Sequence, residues 1–352
     1  MLNGKIGVGF IGAGPATQAI HLPTLARLTA TFDVVHVCDV AASVGATVAA
    51  RAGASYSTSM DGLLVDPRVD VVAVCSPHEF HAAQVIAACR AGKKAVLCEK
   101  PFLTSGQEAT EIAAVSAETG VPIVVGAMHT FDPGWLAALA HWDDLPTTSH
   151  TIRSSVVLPP NARFEDFATE LVARPDWPVP DLDDIEARAG LVHGGVMGLA
   201  IHDLPLVRSL LPRFDDVTVL SADALKPFGY QIVLTAGGKL IELHAAMTAT
   251  WRPEWTLEAF SDDQALRIEF SPSYVHAGSA TTAIQRAGQT RTFGPVGHNG
   301  YEGEWRTIAA IVRGEQAAPD LATLIDDLRF AIAIADEAAQ VVRSAHGARA
   351  AA

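Results

Sequence analysis

The run Val96-Leu97-Cys98-Glu99-Lys100-Pro101 reads as a short buried strand that ends in a lysine, with a proline forbidding regular continuation. An open parallel sheet places its ligand crevice at the carboxyl ends of its strands, so a lysine there is well placed to reach a ligand. Its ammonium offers three donors on a flexible stem, and partial burial moves its pKa towards the range useful for proton transfer. The alternative is a surface lysine that happens to follow a strand. Three residues decide little, and the neighbouring segments carry the argument.

Ile6 to Ile11 is an apolar run followed by Gly12-Ala13-Gly14-Pro15-Ala16-Thr17. This G-x-G-x-x-T is one step from the dinucleotide fingerprint: the first glycine permits the tight turn, and the second lets a pyrophosphate approach the backbone at a helix N-terminus. Thr17 replaces the third glycine, which predicts slightly looser helix–strand packing. Pro15 suits the first turn of a helix, where its missing N–H costs nothing, and Ala16 follows it in the same turn. The next apolar run, Val34 to Cys38, ends in Asp39. An acid at that strand tip can accept from both ribose hydroxyls of NAD and repel a 2′-phosphate. Val40-Ala41-Ala42-Ser43 holds no arginine or lysine for that phosphate, so NAD is expected over NADP. An aspartate there also suits an N-cap for a helix over Ala41 to Arg51.

These residues sit in a regular alternation. Val71 to Cys75 is a strand ending in Ser76-Pro77-His78, then His81 to Cys89 has helical spacing up to Gly92. After Pro101, Ser105-Gly106-Gln107-Glu108 matches a capping box, and Ile123 to Ala127 is a further strand. Alternating strands and helices imply right-handed crossovers and a doubly wound parallel sheet, an α/β domain over 1–125.

The chain has 352 residues, 49% apolar and 18% charged, which suits about two globular domains. A net charge of -14 without a basic stripe argues against nucleic acid and anionic membrane as partners. No run approaches the eighteen or so apolar residues of a membrane span. Met1 to Lys5 leads directly into the first strand, so the expectation is a cytoplasmic chain without a signal peptide. Cys38, Cys75, Cys89 and Cys98 lack C-x-x-C spacing and lie within or beside apolar segments, as buried thiols of a reducing compartment would. Among thirteen histidines there is no spacing typical of a strong metal site, and no metal is expected.

Taken together, Ile11-Gly12-Ala13-Gly14, Asp39, Cys75-Ser76-Pro77-His78-Glu79-Phe80-His81 and Cys98-Glu99-Lys100-Pro101 resemble the Gfo/Idh/MocA family of nicotinamide-dependent oxidoreductases. The resemblance covers roughly residues 5 to 345. It implies a Rossmann domain, a lysine at position 100 near both nicotinamide and substrate, often before a cis proline, and a turn over Ser76, His78 and His81 beside the cofactor. Glu99 belongs to the same motif.

Beyond Gly126 the pattern changes to a second, α+β domain over 126–352 with a large, mainly antiparallel sheet. Gly126 to Pro133 resembles the family's passage into that domain, with Thr130 where many members carry arginine. Ser149 to Leu158 reads as a long strand with Arg153 in its middle, and β-rich runs follow at 216–221, 230–235, 240–247, 256–260 and 266–270. Residues 159–190, rich in proline and acids, read as an elaborate loop or lid. Tyr301 to Val312 and Leu321 to Val342 are helical by period, and these helices could fold back on the first domain. His193 to Asp203 resembles the family's glycine-rich approach to a substrate-binding histidine, which puts His202 in that role. Four residues earlier, where many members have aspartate, stands Gly198. Pro205 predicts an interrupted helix, with Asp203 capping its restart. His129, Arg153 and His193 complete the polar candidates for substrate.

The expectation is an NAD-dependent dehydrogenase or reductase; the resemblance implies a secondary alcohol or ketone of a sugar, cyclitol or related polyol as substrate and, with the free sheet face, a homodimer or homotetramer. Lys100 and His202 would handle the proton. A cofactor-bound regulator on the same fold, and a lyase or glycoside-cleaving enzyme using transient oxidation, are the alternatives.

Overall fold

The computed structural model describes residues 4–174 and 180–350. The chain divides into two compact units: residues 1–126, 165–176 and 301–326 form the first, and 127–164, 177–300 and 327–352 the second.

Six parallel strands make the sheet of the first unit: β1 (Ile6–Ile11), β2 (Phe32–Cys38), β3 (Ser55–Ser57), β4 (Val71–Val74), β5 (Ala95–Cys98) and β6 (Ile123–Val125). Their order is β3-β2-β1-β4-β5-β6, the doubly wound order, with its switch point between β1 and β4. Every residue of β1, β4, β5 and β6 is buried, because helices cover both faces and no strand can alternate. The helix Gly106–Thr119 starts at Ser105 with the predicted capping box to Glu108 and ends at Gly120 in the left-handed region. The helix Gly300–Val312 brings Trp305, fully buried, onto the rings of Phe10 and Phe32.

Eight strands form the sheet of the second unit: β7 (Thr151–Leu158), β8 (Thr218–Ala224), β9 (Phe228–Ala236), β10 (Lys239–Met247), β11 (Glu254–Phe260), β12 (Gln264–Glu269), β13 (Thr281–Arg286) and β14 (Gln289–Phe293). The order is β14-β13-β12-β11-β7-β10-β9-β8, antiparallel throughout except for the β7–β10 pair. Burial alternates along β7 and β10, as a sheet covered on one face requires. The hairpin β13–β14 escapes sequence reading because its turn is Ala287-Gly288, both at positive φ, and lacks the Asn-Gly or Asp-Gly signal.

Residues 159–190 are not the uniform loop expected. A helix occupies Ala162–Ala168, and another starts at Ile185 behind an Asp184 N-cap. Pro175 and Pro178, part of that expectation, lie outside the described residues. Within the first unit, Val172 N donates to Gln18 Oε1 at 2.9 Å and Arg51 reaches the Glu170 carbonyl at 2.6 Å.

Candidate functional site

In the first unit the turn after β1 is fixed from several sides. Gly12 has φ +97°, and a Cβ there would stand 2.6 Å from the Cys75 carbonyl oxygen at the end of β4. Only glycine therefore fits where β1 and β4 diverge. Thr17 is fully buried and its hydroxyl donates to Gly12 O at 2.7 Å, while Gln18 donates to Ala13 O at 2.7 Å. Looser packing at Thr17 is thus not what forms: the hydroxyl closes the turn that a third glycine would otherwise leave to backbone contact.

Asp39 reaches back to this turn. Its Oδ2 accepts from Ala13 N at 2.7 Å and its Oδ1 from Ala41 N at 2.8 Å. The carboxylate is held at the tip of β2, whereas the N-cap position of the helix Ala42–Ala52 is Ala41. Opposite, Gly14 faces space in which an added Cβ would meet nothing within 4 Å. An open backbone turn beside a fixed, partly exposed acid fits a dinucleotide: Gly12, Gly14, Pro15 and Ala16 would face its phosphates and Asp39 its ribose.

Lys100 is partly buried at the end of β5 and precedes a cis proline. Burial pulls its ammonium below the ordinary lysine range, and the Glu99 carboxylate opposes that pull. Burial works against ionised Glu99 too, yet its hydrogen bond from His21 and the charge of Lys100 hold it below the usual glutamate range. His21 Nε2 lies 2.9 Å from Glu99 Oε1, and Lys100 N donates to Glu99 Oε2 at 3.2 Å.

The turn after β4 divides into two roles. Ser76 is partly exposed, with its hydroxyl donating to Gln84 Oε1 at 2.6 Å, and His78 is exposed. His81 is 1% exposed, with ring nitrogens 2.8 Å from Pro101 O and 2.9 Å from Ser76 O. It ties the loop after Lys100 to the end of β4.

The second unit contains a buried polar cluster. His129, in a 3₁₀ turn at Met128–Phe131, places Nδ1 2.7 Å from Asp203 Oδ1. Asp203 Oδ2 accepts from Ser154 Oγ at 2.6 Å and from Trp255 Nε1 at 2.8 Å. Asp203 is fully buried and His129 is 3% exposed. Phe270 stacks on the His129 ring at 3.8 Å, and the His202 ring centroid lies 6.2 Å from that of His129. The helix Ile185–Gly198 stops before His202, which sits in a 3₁₀ turn at Ala200–His202, and Pro205 opens the next helix, Leu204–Ser209. The predicted interruption is present. Asp203 precedes that helix but makes no side-chain cap bond, which overturns its reading as a capping residue. Its oxygens serve His129, Ser154 and Trp255 instead, partners drawn from three other chain segments that no local spacing could reveal.

The remaining candidates lie elsewhere in the unit. Side chains alternate across a strand, so Arg153 points opposite to Ser154; it pairs with Glu242 at 2.6 Å and lies over Phe260 on the open sheet face. His193 stands 3.3 Å from Asp336 on the helix Leu321–Ala350. Gly198 joins Gly190 and Gly194 in lining an apolar cavity of about 690 Å³ with Leu158, Phe228 and Met247. Among the described residues no group of three or more His, Cys, Asp or Glu could hold a metal ion, and no helix is long and apolar enough to cross a membrane.

The family model described as "Oxidoreductase family, NAD-binding Rossmann fold" matches residues 6–127. An inositol 2-dehydrogenase from Acidothermus cellulolyticus is 31% identical over 243 residues, 65% of this chain and 69% of that protein. The chain belongs to the Gfo/Idh/MocA family. Residues 6–127 are therefore the family's NAD-binding Rossmann fold. Inositol 2-dehydrogenase 2 from Saccharopolyspora erythraea is 37% identical over 135 residues, and the match spans 38% of each chain. A UDP-N-acetylglucosamine 3-dehydrogenase from Acidithiobacillus ferrooxidans superposes with a TM-score of 0.72 at 18% identity, covering 96% of this chain and 99% of that one. A 3-ketoreductase from Actinomadura kijaniata, solved with NADP and TDP-benzene, gives 0.69 at 21%, covering 95% and 96%. Both structures share the fold of this Gfo/Idh/MocA member.

Proposed function

We propose that this protein is an NAD-dependent oxidoreductase acting on a secondary alcohol or ketone of a sugar, cyclitol or related polyol. The observation that carries the cofactor choice is Asp39, anchored by Ala13 N and Ala41 N at the tip of β2, with no basic residue over 40–43. Bound nicotinamide supplies hydride exchange with a carbon centre. The protein supplies what surrounds that exchange: backbone donors for the phosphates, an acid for the ribose, and side chains for the hydroxyl proton. Lys100, with its ammonium drawn down by burial, gives up a proton more readily than an exposed lysine and is suited to exchange one with a hydroxyl. His202, in the buried polar cluster of the second unit, is the side chain expected to bind the hydroxyl. The inositol dehydrogenases at 31% and 37% identity support the polyol class.

Thermal shift with each nucleotide, then a panel of inositols, sugars and polyols followed by nicotinamide absorbance and product analysis, tests this reading. Stabilisation by NADP equal to that by NAD would remove the ribose argument. Products of elimination or glycoside cleavage without net NADH would move the protein to transient oxidation. The free face of the second sheet supports a homo-oligomer, which a light-scattering mass near 37.0 kDa would overturn.

A further inference from the structure

Residues 165–174 pack with the first unit, although 127–164 and 177–300 belong to the second. They form a strap tied across its own ends, where Arg174 pairs with Glu165 at 3.0 Å and with Asp166. Arg51 holds it by donating to the Glu170 carbonyl, and Val172 N donates to Gln18 Oε1. The Val172 side chain packs against the buried cluster of Ala13, Val37, Val48 and Ala49. A cavity of about 480 Å³ lies between Ala168 and Thr169 of the strap and Leu22, Phe32 and Val48 of the domain. Part of the strap thus lacks core packing, and such a segment opens locally with less free energy than a packed one. We propose that this strap is a latch on the cofactor turn, with Gln18 the positioning residue that couples its docking to NAD affinity. The inference needs the NAD-binding fold of residues 6–127 and no particular substrate.

Gln18 is 3% exposed, and its amide accepts at one end and donates at the other. Ala13 O can only accept and Val172 N can only donate, so a docked strap decides which way round the amide stands. Nε2 then sits 2.7 Å from Ala13 O and Oε1 2.9 Å from Val172 N. Ala13 N is held at the same time by Asp39 Oδ2 at 2.7 Å. Both backbone polar groups of the residue between Gly12 and Gly14 are fixed, and the turn is set in one conformation before a dinucleotide binds. Preorganisation of this kind raises affinity by reducing what binding must order. With the strap undocked, Oε1 loses its buried donor, the amide turns towards water and Ala13 O loses its anchor. By reciprocity, a strap that raises NAD affinity is itself held more firmly once NAD is bound, by the same factor.

Calorimetric titration with NAD and hydrogen exchange over 169–174, both on the full chain, test the latch. NAD should slow exchange in that peptide by about tenfold. Gln18→Met keeps the side chain's length, loses both hydrogen bonds and should raise the Kd for NAD about tenfold, the scale of one buried hydrogen bond. Val172→Ala loosens the strap but keeps its N–H. It should raise Kd about three- to tenfold in the wild-type background and leave it unchanged beside Gln18→Met, a coupling that the double-mutant cycle isolates. A strap that only adds stability would lower Tm in both variants without moving Kd, which overturns the latch. Strap exchange unaffected by bound NAD, or additive effects of the two substitutions, also overturns it and leaves the oxidoreductase reading standing. Where Gln18→Met fails to fold, wild-type exchange and the Kd of Val172→Ala decide the matter. A wild type that binds neither NAD nor NADP overturns the latch and the oxidoreductase reading together.

Discussion

Trp305 donates its indole N–H to His21 Nδ1 at 3.2 Å, which leaves His21 Nε2–H aimed at Glu99 Oε1, 2.9 Å away. The indole thus selects the imidazole tautomer, and the imidazole keeps the carboxylate beside Lys100 ionised. His21→Ala should cost about 1–3 kcal/mol by leaving buried groups unpaired. Urea unfolding measures it; a loss under about 0.5 kcal/mol, the scale of a neutral surface change, would show the relay to be incidental.

Glu304 neighbours this relay and is fully buried, with both carboxyl oxygens lacking a hydrogen-bond partner among the described residues. Burial, reinforced by the charge of Glu99, pushes its pKa well above 4.5. Above pH 4.5 the unfolded chain releases this proton while the folded chain keeps it. Stability from this group is therefore fully present below that pH and falls as pH rises towards the folded pKa, by at most about 1.4 kcal/mol per unit. Glu304→Gln should flatten that part of the curve. Parallel pH–stability curves for the two proteins between pH 5 and about 8 would sink this assignment.

Lys100→Met should leave folding and the thermal shift given by NAD unchanged while turnover drops about 10²–10⁴-fold. Steady-state kinetics beside calorimetric binding of NAD checks it, and near-normal turnover would reduce the lysine to a filler of the strand end.

Two adjacent glycines of one helix should respond in opposite directions. A Cβ at Gly194 meets nothing within 4 Å, so Gly194→Ala should stabilise by roughly 0.5–1 kcal/mol through helix propensity. A Cβ at Gly195 would lie 2.6 Å from Tyr230 Cδ1, and Tyr230 is buried in β9, so Gly195→Ala should destabilise by about 1–3 kcal/mol. Chemical denaturation of the pair tests the packing of this helix on the sheet.

What the sequence determined by itself was local and short in range. The glycine turn, Asp39, the capping box at Ser105 and the lysine at the end of β5 each depend on residues a few positions apart, and continuous apolar strands announce a sheet buried on both faces. Pro205 likewise announced a break, because a missing N–H is a local fact. Tertiary structure alone decided what Asp203 does. Its position before a helix suits a cap, but three donors from β7, β11 and the 128–131 turn converge on it. A buried carboxylate takes the donors that the packed chain supplies, since leaving any unmade costs more than an exposed cap gains. Arg153 shows the converse: its residue type suited a substrate site, yet strand alternation turned it to the open face, and only the register of β7 against β10 fixed which face that was.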